Sequence, residues 1–261
     1  GFRDRGAVAP GFRADLITFE SLDDVRPDLV VLGGRRVAQG GKLLVDVPSR
    51  GIPEGPSFRI DGFDASRLRL PAGPGARVRV IEVHPGSLAT GASTAEALVV
   101  DGAAAADPAR GLAKLAVVER HRGTGNVGVS FARGFGLARG AIASSVAHDS
   151  HNVVVAGCDD ASMETAVRRA AEIGGGIVVA HGAQVLAEVP LPVAGLMSNA
   201  SLEEVDRAER SANEATRALG TAVDHPFMTL AFLALPVIPE LKLTDRGLVD
   251  VTRFEHVSPF A

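Results

Sequence analysis

From Arg77 to Val189 the chain repeats one theme, a short apolar run followed by a polar or glycine break. "RVRVIEVH", "ALVVDG", "LAKLAVVERH", "NVGVSFARGFG", "AIASSVA" and "NVVVAG" are brief and mostly Val-rich, and branching at the β-carbon favours extended backbone. The first alternates Arg or Glu with Val or Ile, the pattern of a half-buried strand. "AIASSVA" and "NVVVAG" are almost wholly apolar, the pattern of strands covered on both faces. Glycines in "NVGVSFARGFG" point to bends or bulges. The dominant constraint is therefore a sheet, with few segments left to cover it.

Two segments have the period of a helix. After Asp159 and Asp160, either of which can cap a helix, Met163, Val167 and Ala171 recur every fourth residue until "GGG" at Gly174–Gly176. Ser201 and Glu204 form a capping-box pair. They precede an apolar stripe of Leu202, Val205, Ala208, Ala212, Ala215 and Leu219, with Gly220 as the stop. "IVVAHGAQVLAEV" reads as a hairpin turning at His181-Gly182-Ala183, and "DGAAAADP" as a loop or short helix. The fold class is α/β, a mixed α+β chain.

Residues 1–50 form short strands such as "ADLITF" and "DLVVLGG", punctuated by Gly and Pro. A Pro- and Gly-rich connection of little regular structure follows over 51–76, and the sheet-and-helix domain occupies 77–261. The formal net charge of −4 argues against a nucleic-acid groove, which needs surplus Lys and Arg. No apolar run reaches the roughly 18 residues of a membrane helix. "FMTLAFLALPVIPEL" is shorter, broken by Pro236 and Pro239, and reads as core. The single Cys158 excludes an internal disulfide and fits a reducing compartment, with a buried thiol the expected state.

Two polar knots interrupt the strands. In "AHDSHN", His148 and His151 stand three apart beside Asp149 and Asn152. Imidazole and carboxylate at this spacing suit a shared metal, with His148 and His151 as its ligands. They equally suit a His–Asp acid/base pair, or a tight turn in which Asp, Ser and Asn bond their own backbone. One knot supplies only two nitrogen ligands, so a metal site would need help from elsewhere. In "ERHRGTGN", Glu119, His121, Thr124 and Asn126 close a strand end, where sites are often built, and they are candidate substrate contacts; an exposed loop is the alternative. "GTGNVG" matches G-x-G-x-x-G, but charged residues precede it and Gly134 and Gly136 discourage the required helix, so dinucleotide binding is not expected. His84, His181, His225 and His256 stand alone.

Longer runs carry a resemblance. "RGAVAPGFRADLITFESLDDVRPDLVVLGGRRV" resembles the C-terminal strand module, a small β-sandwich, of metal-dependent amidohydrolases. "ERHRGTGNVGVSFARGFGLARGAIASSVAHDSHNVVVAGCDD", "AEIGGGIVVAHGAQVLAEVPLPVAGLMS" and "DHPFMTLAFLALPVIPELKLTDRGLVDV" resemble the C-terminal domain of bacterial adenine deaminases. The resemblance spans nearly the whole chain. It implies hydrolysis of adenine, as the free base, to hypoxanthine and ammonia. The water would be activated by a divalent metal (Mn, Fe or Zn) in a (β/α)₈ barrel. It also implies a cytoplasmic, homo-oligomeric enzyme of purine salvage. The family's His-any-His metal motif occurs nowhere in these residues, so the chain alone is expected to be inactive and to depend on an N-terminal amidohydrolase barrel. Another purine or aminated heterocycle as substrate, or a non-catalytic lid or oligomerisation module built on "FMTLAFLALPVIPEL", are the alternatives.

Overall fold

In the computed structural model, which describes residues 2–47 and 58–261, the short apolar runs become strands. Contacts divide the chain into two units, Gly1–Gly51 and Ile52–Ala261. In the first, β1 (Leu16–Thr18), β2 (Leu29–Leu32), β3 (Arg35–Gln39) and β4 (Lys42–Leu43) form an antiparallel meander. Gly33 and Gly34, both at positive φ, make the tight turn between β2 and β3. Among the described residues of this unit none is buried.

Residues 48–57, which include the start of the Pro/Gly-rich connection, lie outside the described residues. The remainder holds a 3-10 turn at Ala65–Leu68, capped by the Asp64 carboxylate, and β5 (Leu70–Pro71). Next come β6 (Arg77–Val83), β7 (Thr90–Glu96), β8 (Leu98–Val100), β9 (Ala103–Ala105), β10 (Leu112–Val118), β11 (Val127–Arg133), β12 (Ala141–Ser144) and β13 (Val153–Gly157). After them run α1 (Asp160–Glu172), β14 (Gly176–His181), β15 (Gln184–Pro190), α2 (Leu202–Ala218), α3 (Pro226–Phe232), β16 (Leu241–Thr244), β17 (Gly247–Asp250) and β18 (Glu255–Val257).

Eight strands make the main sheet, in the order β15-β14-β12-β13-β10-β11-β6-β7. Only β6 and β11 run parallel; the other neighbours are antiparallel. Every residue of β10, β12 and β13 is buried. The two-residue period splits them between two cores. Leu115, Val117, Ile142, Val154 and Val179 meet α2, α3 and the β16–β17 hairpin through Ala212, Leu219, Phe227, Leu230, Leu243 and Leu248. Ala116, Val118, Ala143, Val153, Val155 and Val178 meet α1 through Met163, Ala166, Val167 and Ala170. Layers on both faces are why these antiparallel strands are almost wholly apolar, the buried exceptions being Lys114, whose ammonium reaches the Leu68 carbonyl and Asp160, and Ser144. Removing one large aliphatic side chain such as Ile142 from water stabilises the fold by about 1.5–3 kcal/mol.

The helices start where their caps place them. The Asp159 carboxylate accepts from Ser162 N–H at 2.7 Å, and Ser201 and Glu204 complete a reciprocal capping box. Two expectations need correction. Leu202 is 80% exposed, because the first turn of α2 runs past its packing surface; its stripe starts at Val205. "DGAAAADP" is neither loop nor helix. Ala103–Ala105 form β9, paired with β5 and β8, and the small side chain of Ala104 fits a buried cluster around Val78, Val80 and Phe131. The run "FMTLAFLALPVIPEL" contributes Phe227, Leu230, Leu233, Ala234 and Leu235 to the core, leaving Met228 and Val237 exposed. Among the described residues no helix is long and apolar enough to cross a membrane.

Candidate functional site

Register brings the two polar knots together. Val118, the last residue of β10, lies opposite Val127 at the start of β11 and Val153 at the start of β13. Residues after Val118 and residues before Val127 and Val153 therefore leave the sheet at the same end. "ERHRGTGN" and "AHDSHN" become neighbours.

Glu119 organises the first loop. Its carboxylate accepts from the backbone N–H of His121, from those of Arg122 at 2.8 Å and Thr124 at 2.9 Å, and from the Thr124 hydroxyl at 3.0 Å. Burial pushes this carboxyl up, but the donors outweigh it and hold the group below its ordinary range. Thr124 in turn accepts from Asn126 N–H at 3.2 Å. In this geometry Glu119 and Thr124 shape the loop.

Asn126 and Asn152 share one carboxylate. Asp245 accepts from Asn126 Nδ2 at 3.3 Å and from Asn152 Nδ2 at 3.1 Å, while Asn152 Oδ1 accepts from Arg120 N–H at 3.3 Å. Asp245 sits in the β16–β17 turn. That turn reaches the knots because residue 128 is glycine: a Cβ there would lie 2.0 Å from the Thr244 carbonyl oxygen. The glycine in "NVGVS" is a crossing point for the hairpin.

Arg120 is 1% exposed. Its guanidinium donates to the carbonyls of His151 at 2.5 Å and Ala194 at 3.0 Å and lies over the Phe58 ring. Gly195 makes room for it, since a Cβ there would fall 2.8 Å from Nη1. Arg120 thus ties the knot to the loop after β15.

The histidines have distinct surroundings. His121 Nε2 lies 2.7 Å from the Ser150 carbonyl. His151 adopts φ 51°, donates its backbone N–H to the Ala147 carbonyl at 2.6 Å, and accepts from Ala147 N–H at Nδ1, 3.3 Å away. That bond assigns the ring proton to Nε2. Burial, then the charges of His148 and Arg120, push the His151 pKa below its ordinary value, with Asp149 opposing. His148 packs edge-on to His151 at 5.5 Å and against Phe232 at 4.9 Å. Asp149 is exposed and makes no hydrogen bond among the described residues.

Arg59, Arg120, His121, Ser150, His151, Ala194 and Leu196 line a cleft of about 440 Å³. Of the sequence candidates, His121 and His151 line it directly; Asn126 and Asn152 stand behind it on Asp245. Its polar lining consists chiefly of N–H donors, which suits a planar ligand rich in acceptor nitrogens or oxygens. The donor set does not fit a resident metal. Among the described residues no group of three or more His, Cys, Asp or Glu is arranged to hold one. His151 uses one ring nitrogen as acceptor and carries its proton on the other. Burial, with the charge of Asp159, pushes the Cys158 thiol up to about 11, which disfavours the thiolate a nucleophile needs.

Sequence reading missed Asp245, Arg59 and the role of Arg120. The turn residues "TDRG" between apolar runs signal a hairpin. Nothing local says that this hairpin crosses β11, 93 residues from Asn152 along the chain.

The family described as "Adenine deaminase C-terminal domain" matches residues 87–255. Curated proteins named "Adenine deaminase" are similar over nearly the whole chain. That of Desulfatibacillum aliphaticivorans is 47% identical over 263 residues, covering 100% of this chain and 46% of its own length. That of Oleidesulfovibrio alaskensis is 48% identical over 254 residues, covering 97% and 44%. That of Methanothrix thermoacetophila is 46% identical over 261 residues, covering 100% and 45%. The chain spans a little under half the length of the curated relatives it matches.

Proposed function

Because the chain belongs to the adenine deaminase C-terminal domain family, we propose that it is the C-terminal portion of an adenine deaminase, which converts adenine and water to hypoxanthine and ammonia. The catalytic centre in this reading lies in an N-terminal amidohydrolase barrel outside these residues, and a divalent metal (manganese, iron or zinc) belongs there. His148, Asp149, His151 and Asn152 act as one wall of a site completed by that barrel. The observation that carries the reading is the cleft where the two knots meet, which His151 lines itself, with His148 packed on His151 and Asn152 accepting from Arg120 N–H. Adenine offers ring nitrogens as acceptors, and the Nε2–H of His151 is a fixed donor of the matching sense. His121 supports the wall through the Ser150 carbonyl. The strands of residues 1–50 serve as one layer of the amidohydrolase β-sandwich. A cytoplasmic, homo-oligomeric enzyme of purine salvage belongs to the same proposal.

The test is hypoxanthine release by the 261-residue chain and by the protein with its barrel, both supplied with divalent metal. The chain alone is expected to be inactive. In the complete protein, His148→Ala and His151→Asn are expected to lower kcat/KM by roughly tenfold or more, the effect of losing one oriented contact of about 1.4 kcal/mol. Unchanged kcat/KM in both variants would return the knot to a purely structural turn.

A further inference from the structure

A second cleft, of about 270 Å³, lies where the turn before β5, the start of β11, the β16–β17 turn and β18 meet. Its polar lining is Arg67, Arg69, Arg246 and His256; every other lining residue is apolar or glycine. Three arginines and a histidine thus line one cleft in a chain whose formal net charge is −4. Among the described residues no carboxylate lines the cleft.

Three nearby acids have other partners. Asp245 faces Asn126 and Asn152. Glu255 pairs with Arg253 at 2.7 Å. Asp64 accepts from Ser66 N–H at 2.9 Å; its nearness to Arg67 adds only a weaker electrostatic contribution. Arg67 and Arg69 are oriented by neutral carbonyls, those of Gly125 at 2.6 Å and of Asp101. Among the described residues the Arg246 side chain and the His256 ring make no hydrogen bond or ion pair. Like charges gathered at one place repel, and an anion between them lessens that repulsion. Guanidinium forks also match tetrahedral oxyanions in geometry, each offering paired N–H donors.

We propose that this cleft binds a phosphate-class oxyanion, held by Arg67, Arg69 and Arg246 with His256 at its edge. The inference is independent of the deaminase reading. Arg246 directly follows Asp245, so the occupied cleft and the two knots meet in one turn.

Calorimetric titration of the protein with inorganic phosphate, AMP and adenosine at low ionic strength tests it. Saturable binding of phosphate, or of AMP but not adenosine, is expected; the first marks a free anion and the second a phosphomonoester. Arg246→Glu is expected to weaken that binding roughly tenfold or more, and Arg246→Lys, which keeps the charge and loses the fork, less. His256→Gln, at the cleft edge, provides a second variant should Arg246→Glu fail to fold. Binding should also fall with added salt, as charges screen. Absence of saturable binding, equal binding of adenosine and AMP, or wild-type affinity in folded Arg246→Glu and His256→Gln would overturn the proposal.

Discussion

Strand β2, LVVL, is more apolar than strand β12, AIAS, yet β12 is wholly buried while no residue of β2 is. Leu32 in β2 is 54% exposed, and Ile142 in β12 is fully buried. Composition of a strand does not decide its burial; the layers laid on it do. β12 has α1 on one face and α2, α3 and the β16–β17 hairpin on the other. The meander of β1–β4 is a single layer, with Ile17, Leu43 and Leu44 also exposed. One unit therefore has its own core, and the other presents an apolar sheet without one.

The largest test separates the units. Residues 1–51 made alone are expected to show no cooperative unfolding, since ordering backbone costs about 1–2 kcal/mol per residue and the described residues include no buried side chain to oppose it. Residues 52–261 are expected to unfold in one cooperative transition. A sharp thermal transition in 1–51 would break the comparison.

Next in size is a pair of truncations. Ile142→Ala should cost about 2–5 kcal/mol by urea unfolding, the range for cavities in packed cores. Ile17→Ala, at 45% exposure, should stay within about 0.5 kcal/mol. Equal losses would show that the meander is packed as tightly as the main sheet.

These contrasts mark what was legible in the sequence. The strands, α1 and its Asp159 cap, the capping box at Ser201 and the His181–Ala183 turn follow from local chemistry, because period, caps and turn residues act within a few positions. Leu202 and the alanines of β9 were misread because their burial depends on distant partners. Site residues divide in the same way. The two knots stand out as polar breaks between apolar strands. Their meeting follows from the Val118 register with Val127 and Val153, which pairing alone reveals. The shared carboxylate, Asp245, depends on a glycine whose missing side chain matters only once a hairpin crosses it.

Asp245→Ala should cost about 1–3 kcal/mol, the penalty of leaving buried hydrogen-bonding groups without their acceptor. In the meander, Asp15 accepts from Gly33 N–H at 2.6 Å and pairs with Arg13 at 3.0 Å, but in an exposed setting. Asp15→Ala is expected to cost less, because water replaces the lost partner. Chemical denaturation of both variants measures the difference, and a larger loss at Asp15 would reverse the ranking.

The smallest effect is a dependence on pH that only the second unit can show through histidine, since residues 1–50 contain none. His151 has a pKa lowered from 6.5, first by burial and then by the charges of His148 and Arg120. The folded chain therefore takes up this proton less readily than the unfolded chain. Between the folded value and 6.5 the unfolded state binds more protons, so stability rises with pH. The contribution is fully present above pH 6.5 and is lost progressively as the pH falls toward the lower folded value. Protonation also removes the Nδ1 lone pair that accepts from Ala147 N–H. His151→Asn is the informative variant, because Asn tolerates the positive φ of 51° without adding a titrating group. Its unfolding free energy should fall less steeply than that of the parent chain from pH 7 to pH 5, in about the range where an ordinary histidine titrates. Parallel pH profiles for the two proteins would mean that the ring is solvated like an exposed histidine, and that the knot is less closed than its hydrogen bonds require.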